Sequence, residues 1–168
     1  MNARDTTHFP SAAHAVALIG CGPKPRTPDV PPPEAIGFKA HNLARMAAMA
    51  LPVPPAFVLG TGWCADPAAL RPDIWQPALA ALEHASDARF GDARQPLLLS
   101  VRSGAPVSMP GMMETLLNIG LCDATLPGFL RATGNPRLVW DAYRRLVAGF
   151  GEVVLGIDAA VFEADLAQ

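Results

Sequence analysis

Proline divides this chain before any other residue does. Eighteen of its 168 residues are proline, and five of them fall between Lys24 and Glu34. Proline has no N–H to give to a helix or a sheet ladder, and it drives the residue before it toward extended backbone. The stretch from Lys24 to Glu34 therefore reads as a loop that ends near Ile36, and Leu51-Pro52-Val53-Pro54-Pro55 closes whatever helix precedes it. Only short elements fit between such breaks. With fourteen glycines added, Gly and Pro make up about a fifth of the chain, below the ~25–30% that marks low-complexity sequence.

The apolar residues between the breaks define the elements. His14 to Ile19 reads as a short strand stopped by Gly20-Cys21-Gly22-Pro23, and Ala56-Phe57-Val58-Leu59 as a second. Leu43, Met46, Ala47 and Ala50 recur at helical spacing within 37–50. A further helix is predicted over 74–89, entered through Arg71-Pro72-Asp73, with Leu79, Leu82 and Phe90 inward. Pro96 to Arg102 is an apolar run of strand length that delivers Arg102 to its end, before a Gly-, Pro- and Met-rich stretch from Ser103 to Met113. Asn135-Pro136 supplies a cap and first turn for a helix carrying Val139, Tyr143, Leu146, Phe150 and Val153 on one stripe and Asp141, Arg144 and Arg145 opposite. The expected organisation is a flexible N-terminus over 1–13, an α/β subdomain over 14–114 and a helical subdomain over 115–168. The fold class is thus α+β or α/β, with a small mixed sheet followed by helices.

Charge and cysteine usage exclude several functions. A net charge of -2 leaves no global basic field for a nucleic acid or an anionic membrane. No run of 18 apolar residues is present to span a bilayer. At this length a domain buries roughly 70% of the surface its unfolded chain would expose, enough to fold without disulfides or a structural metal. Cys21, Cys64 and Cys122 are odd in number and far apart, which points to reduced thiols in a cytoplasmic protein. Leu18-Ile19-Gly20-Cys21 has the look of a lipoprotein cleavage box, but Asp5, His8 and His14 interrupt the apolar region that should precede it.

Two segments could carry chemistry. Lys39 stands at the start of a helix, where its ammonium adds to free backbone N–H groups and the positive end of the helix dipole, a combination that attracts phosphate. Taken alone, such a lysine is more often a solvated charge. Arg102 leaves a strand and is followed by Ser103, Gly104 and small residues, with Gly111 further along. A planar fork of donors and a close backbone approach there suit a polyphosphate, whereas the bland reading is an arginine snorkelling at a strand end. Glu114 orients this loop or serves as helix N-terminal charge. His8, His41 and His84 share no metal-ligand spacing, and no metal ligands are assigned. Trp63, Trp75, Trp140 and Tyr143 read as core or packing aromatics.

Taken together, these segments resemble a known family. Ser100 to Asn118, reading SVRSGAPVSMPGMMETLLN, is similar to the corresponding stretch of the pyruvate, phosphate dikinase family. Lys39 with Asn42-Leu43, then Leu51-Pro52-Val53-Pro54-Pro55-Ala56-Phe57, then Trp140-Asp141-Ala142-Tyr143-Arg144-Arg145-Leu146 follow in the family's order, so the resemblance covers about residues 14–165. It implies the N-terminal part of an ATP-grasp domain. ATP would be the ligand and Mg2+ its cofactor, with Lys39, Arg102, Ser103, Gly104 and Gly111 toward the phosphates and Arg102 acting on the transferring group.

The family reaction passes a phosphoryl group from ATP through a carrier histidine to pyruvate. The family's metal carboxylates, phosphohistidine domain and phosphoenolpyruvate-binding barrel all belong to sequence C-terminal to this region. A second polypeptide carrying them is therefore an implied partner. Phe38, Ala40 and His41 stand where the family has small residues in GGKGANL, which is the ground for an alternative: a non-catalytic nucleotide-binding or regulatory protein derived from the same domain. His14, in Ser11-Ala12-Ala13-His14, only faintly echoes the carrier motif and reads as a strand-start histidine.

Overall fold

A computed structural model describes residues 14–21, 30–104 and 115–166, with side chains through Phe162. The chain divides into two compact units. Described residues up to Ala85, together with Gly104, form the first, and Ser86–Ser103 with residues 115–166 form the second.

In the first unit β1 (Val16–Ile19) pairs antiparallel with β2 (Ala56–Leu59), Val16 opposite Leu59 and Ile19 opposite Ala56. Gly20, at φ +67, turns the chain out of β1, and the Gly60 N–H donates to the Ala15 carbonyl at 2.9 Å to close the other end. The proline-rich stretch does not stay irregular as far as Ile36. It ends in a single helical turn, α1 (Pro33–Ile36), because proline at a first helical position sacrifices only an N–H that has no intrahelical acceptor. Ala35 and Ile36 are buried in that turn.

Gly37, at φ 82, then starts α2 (Phe38–Ala48), which is shorter than the periodicity predicted and has no fully buried residue. Two 3-10 turns, Thr61–Ala65 and Pro67–Leu70, lead to α3 (Pro72–Ser86), which buries Ala78 and Leu82 and contains Pro77 in its interior. Phe90 is not on α3 as expected: the helix ends at Ser86, Asp87 has φ 49, and Phe90 belongs to the second unit.

In the second unit β3 (Leu99–Arg102) pairs antiparallel with β4 (Thr115–Ile119), followed by α4 (Leu126–Thr133), α5 (Pro136–Val153) and α6 (Ala159–Leu166). Among the described residues the expected mixed sheet is thus two separate antiparallel pairs, and the segment from 115 opens as a strand rather than a helix. The register moves from Leu99 opposite Ile119 to Val101 opposite Leu116, so β4 carries one extra residue between them. Asn118, at φ 61, sits in this bulge, and its Nδ2 donates to the Ala142 carbonyl on α5 at 3.3 Å.

Leu121, Leu126 and Val139 form the core of this unit, with Leu98, Phe129, Ala142, Tyr143 and Leu146 packed around them. The Asn135 side chain caps α5 by accepting from the Leu138 N–H at 3.1 Å, as its sequence position predicts. The predicted stripe on α5 is buried only in its N-terminal half. Phe150 and Val153 are 41% and 38% exposed.

One close approach in this unit admits no side chain. A Cβ on Gly128 would stand 2.5 Å from the Ala93 carbonyl oxygen and 2.9 Å from Pro96 Cδ. Gly128→Ala should lower stability by about 1–3 kcal/mol in chemical denaturation, since backbone must move to admit the methyl. Gly104→Ala, whose Cβ meets its first neighbour at an ordinary 3.7 Å, should stay within about 0.5 kcal/mol of the parent. Equal midpoints for the two variants would contradict this packing.

Candidate functional site

Lys39 is the second residue of α2 and is exposed. No side chain caps this helix. The amides of its first turn therefore lack intrahelical acceptors and add their partial positive charge to the ammonium. Three contacts fix the backbone that leads into it. The Thr61 hydroxyl donates to the Glu34 carbonyl at 2.6 Å. His41 Nδ1 stands 2.8 Å from the Pro31 carbonyl, and since a carbonyl only accepts, Nδ1 carries the proton. Gly104 lies against the α1–α2 junction, where a Cβ would be 3.7 Å from the Ile36 carbonyl oxygen and 3.8 Å from Gly37 Cα.

Of the residues marked in the sequence, Lys39 and Gly104 thus share the first unit around Gly37, while Arg102 and Ser103 belong to the second. Arg102 ends β3 opposite Thr115, and both Arg102 and Ser103 are exposed. The Arg102–Thr115 pairing holds the two ends of the 103–114 segment one strand spacing apart, about 4.5–5.5 Å between Cα atoms. Gly111 and Glu114 lie outside the described residues. Among the described residues neither Lys39 nor Arg102 has a carboxylate partner, whereas Arg71 pairs with Asp73, and Arg144 and Arg145 both pair with Asp141.

The other candidates take structural places. His14 packs edge-on against Trp63, with ring centroids 5.0 Å apart, and lies 3.6 Å from the Asp66 carboxylate. Phe38 is 41% exposed at the start of α2. Trp140 is 60% exposed on the outer face of α5 rather than packed in a core. It lines an open concavity of about 810 Å³ with Asn135, Arg137, Asp141, Arg144 and Arg145. Hydrogen bonds from Arg144 and Arg145 hold the Asp141 carboxyl below its ordinary range. The sequence shows these residues only as the solvated side of a helix, because their grouping comes from the helix surface they share.

Among the described residues no group of three His, Cys, Asp or Glu side chains could hold a metal ion. Among them, too, no helix is long and apolar enough to cross a membrane.

No protein-family model matches the chain. Individual proteins do. The chain is 41% identical over 138 residues to "Pyruvate, phosphate dikinase" of Rhizobium meliloti (strain 1021), covering 77% of this chain and 15% of that protein. It is 46% identical over 140 residues to "Pyruvate, phosphate dikinase 2" of Zea mays, covering 79% and 16%. With "Pyruvate, phosphate dikinase" of Clostridium symbiosum it shares 41% over 135 residues, covering 76% and 15%. By these names its relatives are dikinases, a class of phosphoryl-transferring enzyme. Within that class, the chain belongs to the pyruvate, phosphate dikinase family, and it spans about 15% of the length of the relatives it matches.

Two thiols differ in a way that chemistry can read. The Cys122 thiol is held below its ordinary value by the Thr125 hydroxyl and then by the backbone N–H groups of Thr125 and Ala124, and the residue is exposed. Burial pushes the half-buried Cys21 thiol up, and its Sγ donates to the Ile19 and Ala56 carbonyls at 3.4 and 3.5 Å. Since the thiolate is the nucleophile, iodoacetamide should alkylate Cys122 faster than Cys21 near neutral pH, with its rate levelling off at lower pH. Mass spectrometry across a pH series checks this, and Thr125→Val should move the Cys122 profile upward in pH. Equal rates near neutrality would contradict it.

Proposed function

We propose that this chain supplies the N-terminal, phosphate-contacting part of the ATP site of a pyruvate, phosphate dikinase-like phosphotransferase, built on an ATP-grasp framework. The observation that carries the reading is the identity of 41–46% to named dikinases over more than three quarters of the chain. The same identity favours this reading over a non-catalytic binding protein derived from the domain.

In this reading Lys39 and the uncapped first turn of α2 neutralise the triphosphate, and Arg102 places its fork of donors on the group being transferred. In phosphoryl transfer little covalent work falls to the protein, and catalysis rests on position and on charge set where negative charge develops. Two side chains without carboxylate partners among the described residues suit that task, since a cation already paired must give up its carboxylate before it meets a phosphate. Ser103 and Gly104 offer backbone at the same end of β3, and Gly111 follows them in the sequence. Mg2+, when bound, would offset phosphate charge, with carboxylate ligands from outside these 168 residues. Those carboxylates, the carrier histidine and the pyruvate site would come from further polypeptide, whether in the same chain or a partner.

Two charge-assisted contacts of roughly 1.5–3 kcal/mol each leave little net affinity once the costs of association are subtracted. In an NMR titration of the chain with ATP, the dissociation constant should fall in the millimolar range. Lys39→Ala and Arg102→Ala should each weaken binding about tenfold, equivalent to about 1.4 kcal/mol. Tight binding that survives both substitutions would remove these residues from the site.

A further inference from the structure

His41 stands where the family pattern has a small residue, and the sequence offers no reason for the histidine. The structure supplies one. Its Nδ1–H reaches back ten residues to the Pro31 carbonyl, 2.8 Å away. Pro31 lies just ahead of α1, and His41 lies in the first turns of α2, two residues beyond Lys39. This bond spans the turn at Gly37, whose φ of 82 and ψ of 154 cap no helix with a side chain. Within α1 itself, the Glu34 carbonyl accepts from the Thr61 hydroxyl at 2.6 Å. The first turn of α2 is thereby tied to the segment that leads into it.

We propose that His41 is a positioning residue, which through its bond to Pro31 fixes the Gly37 turn and so the direction in which Lys39 and the first amides of α2 meet a polyphosphate. This rests on the reading of Lys39 given above. Proline cannot offer an N–H, so the Pro31 carbonyl is the group of this residue that can be tied, and imidazole is long enough to reach it from the helix. The bond also fixes the ring as the Nδ1–H tautomer, with Nε2 as the acceptor nitrogen whenever the ring is neutral.

The test uses the 168-residue chain, with ATP and inorganic tripolyphosphate as probes in NMR titrations, alongside thermal melts. Asparagine places an amide N–H where Nδ1 was, while glutamine places it nearer Nε2. His41→Asn should bind both probes within about twofold of the parent, whereas His41→Ala and His41→Gln should each lose about fivefold or more for both. The 15N spectrum of the parent should show the His41 proton on Nδ1. If His41→Ala fails to fold, the contrast between Asn and Gln decides.

A residue that only stabilises the fold would lower the melting temperature and leave tripolyphosphate affinity unchanged. That outcome, obtained while Lys39→Ala weakens binding, overturns the proposal and spares the reading of Lys39. An Asn variant as weak as the Gln variant, or a proton found only on Nε2, overturns it as well. If Lys39→Ala changes nothing, the reading of the site fails and this inference fails with it.

Discussion

A single buried hydroxyl organises the second unit. Thr125 has no solvent exposure, and its Oγ1 accepts the Cys122 N–H at 2.9 Å while donating toward the Gly120 carbonyl at 2.9 Å. The chain leaves β4 through Gly120 and enters α4 at Leu126, and the buried Thr125 hydroxyl bonds back across the turn between them, whose residues 122–124 are exposed. Without the hydroxyl, the Cys122 N–H and the Gly120 carbonyl would each lose this partner, a net loss of roughly 0.5–1.5 kcal/mol per bond. With it, Leu121 and Leu126 are set on either side of the same turn, and both face Val139 of α5. The helices are therefore placed by one turn as much as by apolar area.

That placement reaches β3 through the strand pair. Leu98 packs on the same core, and β3 pairs with β4 up to Arg102 and Thr115. The bulge at Asn118 lets the strand keep this pairing while its side-chain amide bonds to α5. An arginine at a strand end would otherwise be a flexible surface charge, and here its Cα is fixed by a ladder tied to the core. The first unit treats Lys39 in a comparable way. A one-turn helix, a glycine with positive φ and two side chain-to-carbonyl bonds define where α2 begins. In both places the cation is exposed while the backbone beneath it is anchored.

The bulky residues around Lys39 acquire different meanings in this setting. Phe38 and His41 suggest crowding when set against the small residues of the family pattern. His41 instead engages the Pro31 carbonyl, and Phe38 is 41% exposed at the first position of the helix. Substitution for a small residue thus does not fill the approach automatically. What it changes depends on whether the new side chain finds a partner, and the His41 ring finds one in the carbonyl of a proline.

Elements that follow from local chemistry were legible in the sequence. β1, β2, α3, β3 and the cap of α5 all appear where apolar runs, prolines and Asn135 place them, with ends displaced by a few residues. So was the family, through SVRSGA and the residues after it, because a motif is a property of the chain alone. β4 was not legible, since a bulge breaks the alternation by which a strand is recognised and leaves Thr115-Leu116-Leu117-Asn118-Ile119 looking like part of a helix. α4 was hidden too, as an eight-residue helix without a side-chain cap. The tie between His41 and Pro31, the approach of Gly104 to Gly37 and the exposure of Phe150 were decided by tertiary structure alone. Each depends on which backbone or side chain arrives from elsewhere in the chain. Sequence determines which groups can bond and how the backbone can turn, but which of them meet is settled only when the units close.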